Sequence, residues 1–142
     1  MYHAIEIARL IVSICTDENT PISNLKLQKI LYFLWVDYYK EFGEPLFADN
    51  ICAWQLGPVV PDVYYEFCSY AGRPISEHFD VAIDDDTKIK VRNIVQKYIL
   101  VSASALVNKT HSQGSPWFEV YREGAGHRDT IPYSLIIDID CR

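Results

Sequence analysis

The residues best suited by type for chemistry lie in the run Thr110-His111-Ser112-Gln113-Gly114-Ser115-Pro116-Trp117. A histidine with serine hydroxyls close by supplies a base and a nucleophile, two of the three parts of an acyl-transfer site. Nothing in the sequence marks the third, orienting group. A second account uses each residue once. His111 closes the preceding helix and packs on Trp117, while Ser115 caps the next helix with Pro116 at its first position. That account needs no unseen partner, and the sequence favours it.

Other constellations are absent. His3, His78, His111 and His127 are scattered, with no pair at helical spacing. Cys15, Cys52, Cys68 and Cys141 form no CxxC pair. There is no HExxH, no GxSxG and no glycine-rich phosphate loop. No cofactor and no metal site is expected. The acidic triplet Asp84-Asp85-Asp86 precedes an apolar-periodic segment, so it reads as helix-capping charge. The remaining unusual stretch is AWQLGPVVP, from Ala53 to Pro61. Trp54 and Gln55 ahead of Gly57-Pro58 could form an exposed recognition corner, since Trp is a frequent interface anchor. Alternatively Trp54 fills the core beside a long helix.

Composition bounds the partners. A chain of 142 residues makes one domain, 1–142, with a sizeable core. Its net charge of −6 argues against binding by phosphate neutralisation and against an anionic membrane surface. No apolar run approaches the roughly 18 residues of a membrane span. The segment MYHAIEIARL carries Glu6 and Arg9 and lacks a basic start, unlike a signal peptide. The thiols are expected reduced and mostly buried, in a cytoplasmic protein.

Two helices must position these residues. Residues 3–16 predict a first helix, buried on most sides, with His3, Glu6, Arg9 and Ser13 as a narrow polar stripe. The segment from Ser23 to Phe42 has the strongest helical period. Leu27, Ile30, Leu31, Leu34, Trp35, Tyr38 and Phe42 line one face. Ser23 is placed to cap it, and Gly43 to end it in a left-handed conformation. A helix of about 20 residues is roughly 30 Å long, so this is the central element. Residues 47–58 predict extended chain with at most a short strand, turning at Gly57-Pro58. A helix follows with Val60, Val63, Tyr64, Phe67 and Ala71 inward, closed by Gly72. Alternation over Phe79, Val81 and Ile83 predicts a short strand. Further helices follow the acidic triplet, Ser102 and Ser115, and a last short one begins near Pro132. The fold class is mostly α: a single compact helical domain around a long central helix, with at most a small β-hairpin.

Three motifs carry a resemblance: LKLQKILYF on the central helix, then FADNICAWQLGPVVPDVY, then LVNKTHSQGSPW. In this order and at these distances they closely resemble the Panacea domain, the family of SocA-like antitoxins and phage-associated GepA-like proteins. The resemblance runs from about Ile5 to Ile137. It implies a mostly helical protein that neutralises a cognate toxin, encoded by the adjacent gene, through protein contact. It also implies a ClpXP-type protease as a further partner and no catalytic residue set; that there is no direct nucleic-acid contact is expected from the charge. The marker residues, among them Leu27, Gln28, Lys29, Tyr32 and Thr110, are then fold or interface markers. The expected partner-binding residues are Gln28, Lys29, Trp54, Gln55, Gly57, Pro58, His111 and Trp117. Gln28 and Lys29 interrupt an apolar helix, so they either face solvent or bond to the two loops. Leu56 departs from the family pattern, where an aromatic or polar residue is common before Gly-Pro.

Overall fold

The computed structural model describes residues 1–142. The chain folds into seven helices and one small hairpin. Helix α1 spans Ala4–Asp17 and α2 Asn24–Phe42. Strands β1, Cys52–Trp54, and β2, Gly57–Val59, follow. Then come α3, Pro61–Glu66; α4, Asp85–Val95; α5, Ala103–Thr110; α6, Pro116–Tyr121; and α7, Tyr133–Asp140.

Helix α2 is the axle. Ser23 Oγ accepts from Lys26 N at 3.2 Å, which caps its start. Gly43 ends it at φ +73°, as a left-handed residue. All the apolar positions expected on one face are buried except Phe42, which is half-buried. Tyr32, Phe33 and Val36 on the other sides are buried too, so α2 is enclosed all round by α1, α3, α4, α5, α7 and β2. Trp35 stacks on Tyr39, and its Nε1 donates to Phe47 O at 2.9 Å. One contiguous core joins side chains of all seven helices.

Asp84 is the N-cap of α4. Its carboxylate accepts from Thr87 N at 3.0 Å and from the Tyr2 hydroxyl. These bonds, the Tyr2 one foremost, lower its pKa to about 2. Asp85 and Asp86 follow in the first turn, where negative charge opposes the helix dipole favourably.

The structure corrects four local expectations. The turn of the hairpin lies at Gln55-Leu56, with Gly57-Pro58 already inside β2. Helix α3 stops at Glu66 rather than running to Ala71, and Ala71 is exposed at φ +53°. Phe79 to Ile83 form no strand, because no free edge lies beside them. Ser13 of α1 serves the backbone instead, accepting from Phe79 N at 2.7 Å and donating to Phe79 O at 3.3 Å. Cys68 is exposed, whereas Cys15 and Cys52 are buried.

Candidate functional site

The three sequence motifs meet at the hairpin. β1 and β2 pair antiparallel, with Cys52 opposite Val59, Ala53 opposite Pro58 and Trp54 opposite Gly57. Residues 128–131 cover the other edge of β1: Arg128 N donates to Ala53 O at 2.6 Å and Ala53 N to Asp129 O at 2.8 Å. The outer edge of β2 has no strand beside it. One backbone group on that edge and one just past its end are taken by consecutive side chains of α2. Lys29 Nζ donates to Pro58 O at 2.8 Å, and Val60 N donates to Gln28 Oε1 at 3.0 Å. Pro58 brings no N–H of its own. Two side chains thus replace a third strand and close an edge that would otherwise invite pairing with another chain.

This fastening extends inward. Gln28 Nε2 donates to Asn24 Oδ1 at 3.1 Å, and Asn24 Nδ2 donates to Tyr64 O at 3.1 Å. The relay ties α2, β2 and α3 together. Lys29 is 0% exposed. Burial alone pulls its ammonium down to about 7. Gly57 makes the approach possible. A Cβ there would lie 2.7 Å from Thr110 Oγ1 and 2.8 Å from Lys29 Cε, and Gly57 adopts φ +118°.

The third motif grips β1 through Trp117. Trp117 Nε1 donates to Trp54 O at 2.7 Å. The His111 ring stacks on Trp117 at 3.8 Å and 8°, and Trp117 stacks on Tyr121 at 4.6 Å. Ser115 caps α6 by accepting from Phe118 N at 3.2 Å, and its hydroxyl donates to Thr110 O at 2.7 Å. Ser112 donates to Lys109 O at 3.1 Å. Neither serine bonds to His111, whose Nε2 has no hydrogen-bond partner. Burial, helped by the Lys29 charge, lowers the His111 pKa; the Leu56 backbone opposes them. The imidazole is therefore held toward its neutral form, as an aromatic plate on Trp117. It closes α5 through its backbone N–H, which donates to Val107 O at 3.0 Å, and not through its ring.

The expected partner-binding residues separate by exposure. Gln28, Lys29, Gly57, Pro58 and Trp117 are buried, and the polar side chains among them bond to the hairpin backbone. Trp54 and His111 are half-buried, and Gln55 is exposed. Leu56, outside the expected set, is 51% exposed at the turn. Trp54 meets the edges of Tyr64 and Tyr65, and the Arg128 guanidinium covers its face at 4.4 Å. Beside this turn runs a groove of about 420 Å³, lined by Leu25, Trp54, Leu56, Tyr64, Cys68 and Arg128 among others. Arg128 and Tyr65 carry no sequence signal. Leu56, an apolar residue at a polar turn, does.

A family model described as antitoxin SocA-like, Panacea domain, matches residues 27–118. The chain is 32% identical over 133 residues to the antitoxin SocA of Caulobacter vibrioides (strain NA1000 / CB15N), covering 84% of this chain and 70% of that protein. This chain belongs to the SocA-like Panacea family. No solved structure matches it. The Panacea match begins at Leu27, just ahead of Gln28 and Lys29, and closes at Phe118, just past Trp117. It therefore contains two of the three fastenings of the hairpin, those by α2 and by Trp117, and leaves out the third, residues 128–131. In this Panacea chain they hold the hairpin, whose turn leaves Gln55 and Leu56 exposed beside half-buried Trp54. No helix is long and apolar enough to cross a membrane.

Proposed function

We propose that this chain is an antitoxin that neutralises a cognate toxin, encoded by the adjacent gene, by direct protein contact in the cytoplasm. The observation that carries this reading is the identity with an antitoxin over most of the chain. The hairpin platform supplies the contact surface. Its backbone is pinned from three sides, so little conformational freedom is lost on binding. Trp54 and Leu56 offer apolar area at its tip, and Gln55 and His111 offer polar contacts beside it.

The activity proposed is binding without catalysis. His111 is stacked on Trp117 and bonded to neither serine, and both serine hydroxyls already donate to backbone carbonyls.

The test is co-expression. The adjacent gene is expressed alone and then with this chain, with growth and toxin level both followed. Toxicity that disappears beside this chain, with the two proteins co-purifying, supports the reading. Persistent toxicity beside a folded chain overturns it. Toxin that vanishes in the rescued cells and returns when a ClpXP-type protease is deleted assigns delivery to the protease. Toxin that persists at full level assigns occlusion.

A further inference from the structure

We propose that the groove beside the β1–β2 turn docks an acidic-apolar segment of the toxin, an apolar side chain against Leu56 and Trp54 and an adjacent carboxylate on the Arg128 guanidinium. This rests on the antitoxin reading and names the chemistry of the partner at that site.

Charge is the first argument. The chain carries a net charge of −6, yet the groove is lined by Arg128 and His127 and by no carboxylate. The groove therefore stands out against its surroundings as a place for negative charge. Arg128 is exposed and makes no ion pair. Its guanidinium is held in place by other means: it lies 4.4 Å over the Trp54 ring, and Nη1 donates to Tyr65 Oη at 3.4 Å. Stacking leaves guanidinium N–H donors free for a carboxylate, which Arg binds in a two-pronged geometry. The residue also adopts φ +71°, unfavourable for a non-glycine, while its N–H is locked to Ala53 O.

Apolar exposure is the second argument. Leu56, two residues past Trp54 in the groove lining, is 51% exposed, and Tyr65, whose ring meets Trp54 edge-on, is 54% exposed. A large aromatic with exposed apolar neighbours, beside a guanidinium without an ion pair, has the composition of an interface hot spot. A stable interface buries about 1,600 Å² in total, so the groove is the anchor within a wider contact.

The experiment measures binding of the purified adjacent-gene product to the purified chain by calorimetry, at low and high salt. Arg128→Glu and Leu56→Glu are the test variants, with Ile89→Glu, exposed on α4, as the control; thermal unfolding checks each. Wild type is expected to bind, and more weakly at high salt. Both test variants should bind at least tenfold more weakly with unfolding unchanged, and Ile89→Glu should bind as wild type does. If Arg128→Glu fails to fold, Leu56→Glu decides. Folded test variants that bind like wild type, or an equal loss in Ile89→Glu, overturn the groove and leave the antitoxin reading standing. A neighbour that neither harms cells nor binds wild type overturns the antitoxin reading, and the occupant assigned here with it.

Discussion

Lys29 Nζ lies 2.8 Å from the carbonyl oxygen of Pro58 and donates to it inside the protein, with no carboxylate to balance the charge. A lone buried ammonium is expensive, and the pKa lowered to about 7 expresses that cost. The amine is kept because its hydrogen bond closes the free edge of β2.

This relationship sets a pH dependence. The folded pKa is about 7 against 10.5 for an unburied lysine. Between those values the unfolded chain holds the proton and the folded chain has released it, so stability rises with pH across that window. The penalty is complete below pH 7. Lys29→Met removes the titration. Denaturant unfolding at pH 6.5, 7.5 and 8.5 should show wild type gaining on the variant by about 1 kcal/mol per pH unit above pH 7. Parallel curves for the two proteins would show that Lys29 keeps an ordinary pKa.

Gly57→Ala should be strongly destabilising. The new methyl meets Thr110 Oγ1 at 2.7 Å and Lys29 Cε at 2.8 Å, on a backbone at φ +118°. Overpacking and backbone strain cost about 1–3 kcal/mol each. Unfolding in urea checks this; a loss under 1 kcal/mol would mean that the hairpin stands further from α2 than described.

Gln28→Leu keeps the volume of the side chain roughly constant but strips the acceptor from Val60 N and the donor from Asn24. Each buried group left alone costs about 1–3 kcal/mol. The loss should appear both in thermal unfolding and as faster amide exchange at Val60. Unchanged exchange there would contradict the surrogate-strand role.

His111→Phe separates a structural ring from a catalytic one. Phenylalanine preserves the stack on Trp117 and removes the unpartnered Nε2. Stability should stay within about 1 kcal/mol of wild type, and growth rescue should fall only as far as toxin binding, measured on the same protein, falls. A folded His111→Phe protein that still binds the toxin as wild type does, yet no longer rescues, would sink the binding-only proposal.

Much of this protein was determined by sequence alone. The period of Leu27, Ile30, Leu31, Leu34 and Trp35 marks α2 because burial must repeat with the helical turn. Ser23, Asp84, Ser102 and Ser115 mark helix starts because the first turn of any helix leaves backbone N–H groups open. These are local rules, and the chain carries them locally. The order of the three motifs likewise marks the family. Where a signal depended on a neighbour far along the chain, sequence was insufficient. Phe79 to Ile83 alternate like a strand yet have no strand to pair with, since α1 lies there and offers only Ser13. Gln28 and Lys29 left two readings open, and tertiary structure chose the inward one by setting the free edge of β2 within reach of them. Arg128 lies in a loop without any pattern, and only the pairing of residues 128–131 with β1 lays its guanidinium on Trp54. Side-chain periodicity specifies which residues leave water. Which buried polar groups meet one another, and which surface remains for a partner, was decided by the packing of distant segments around α2.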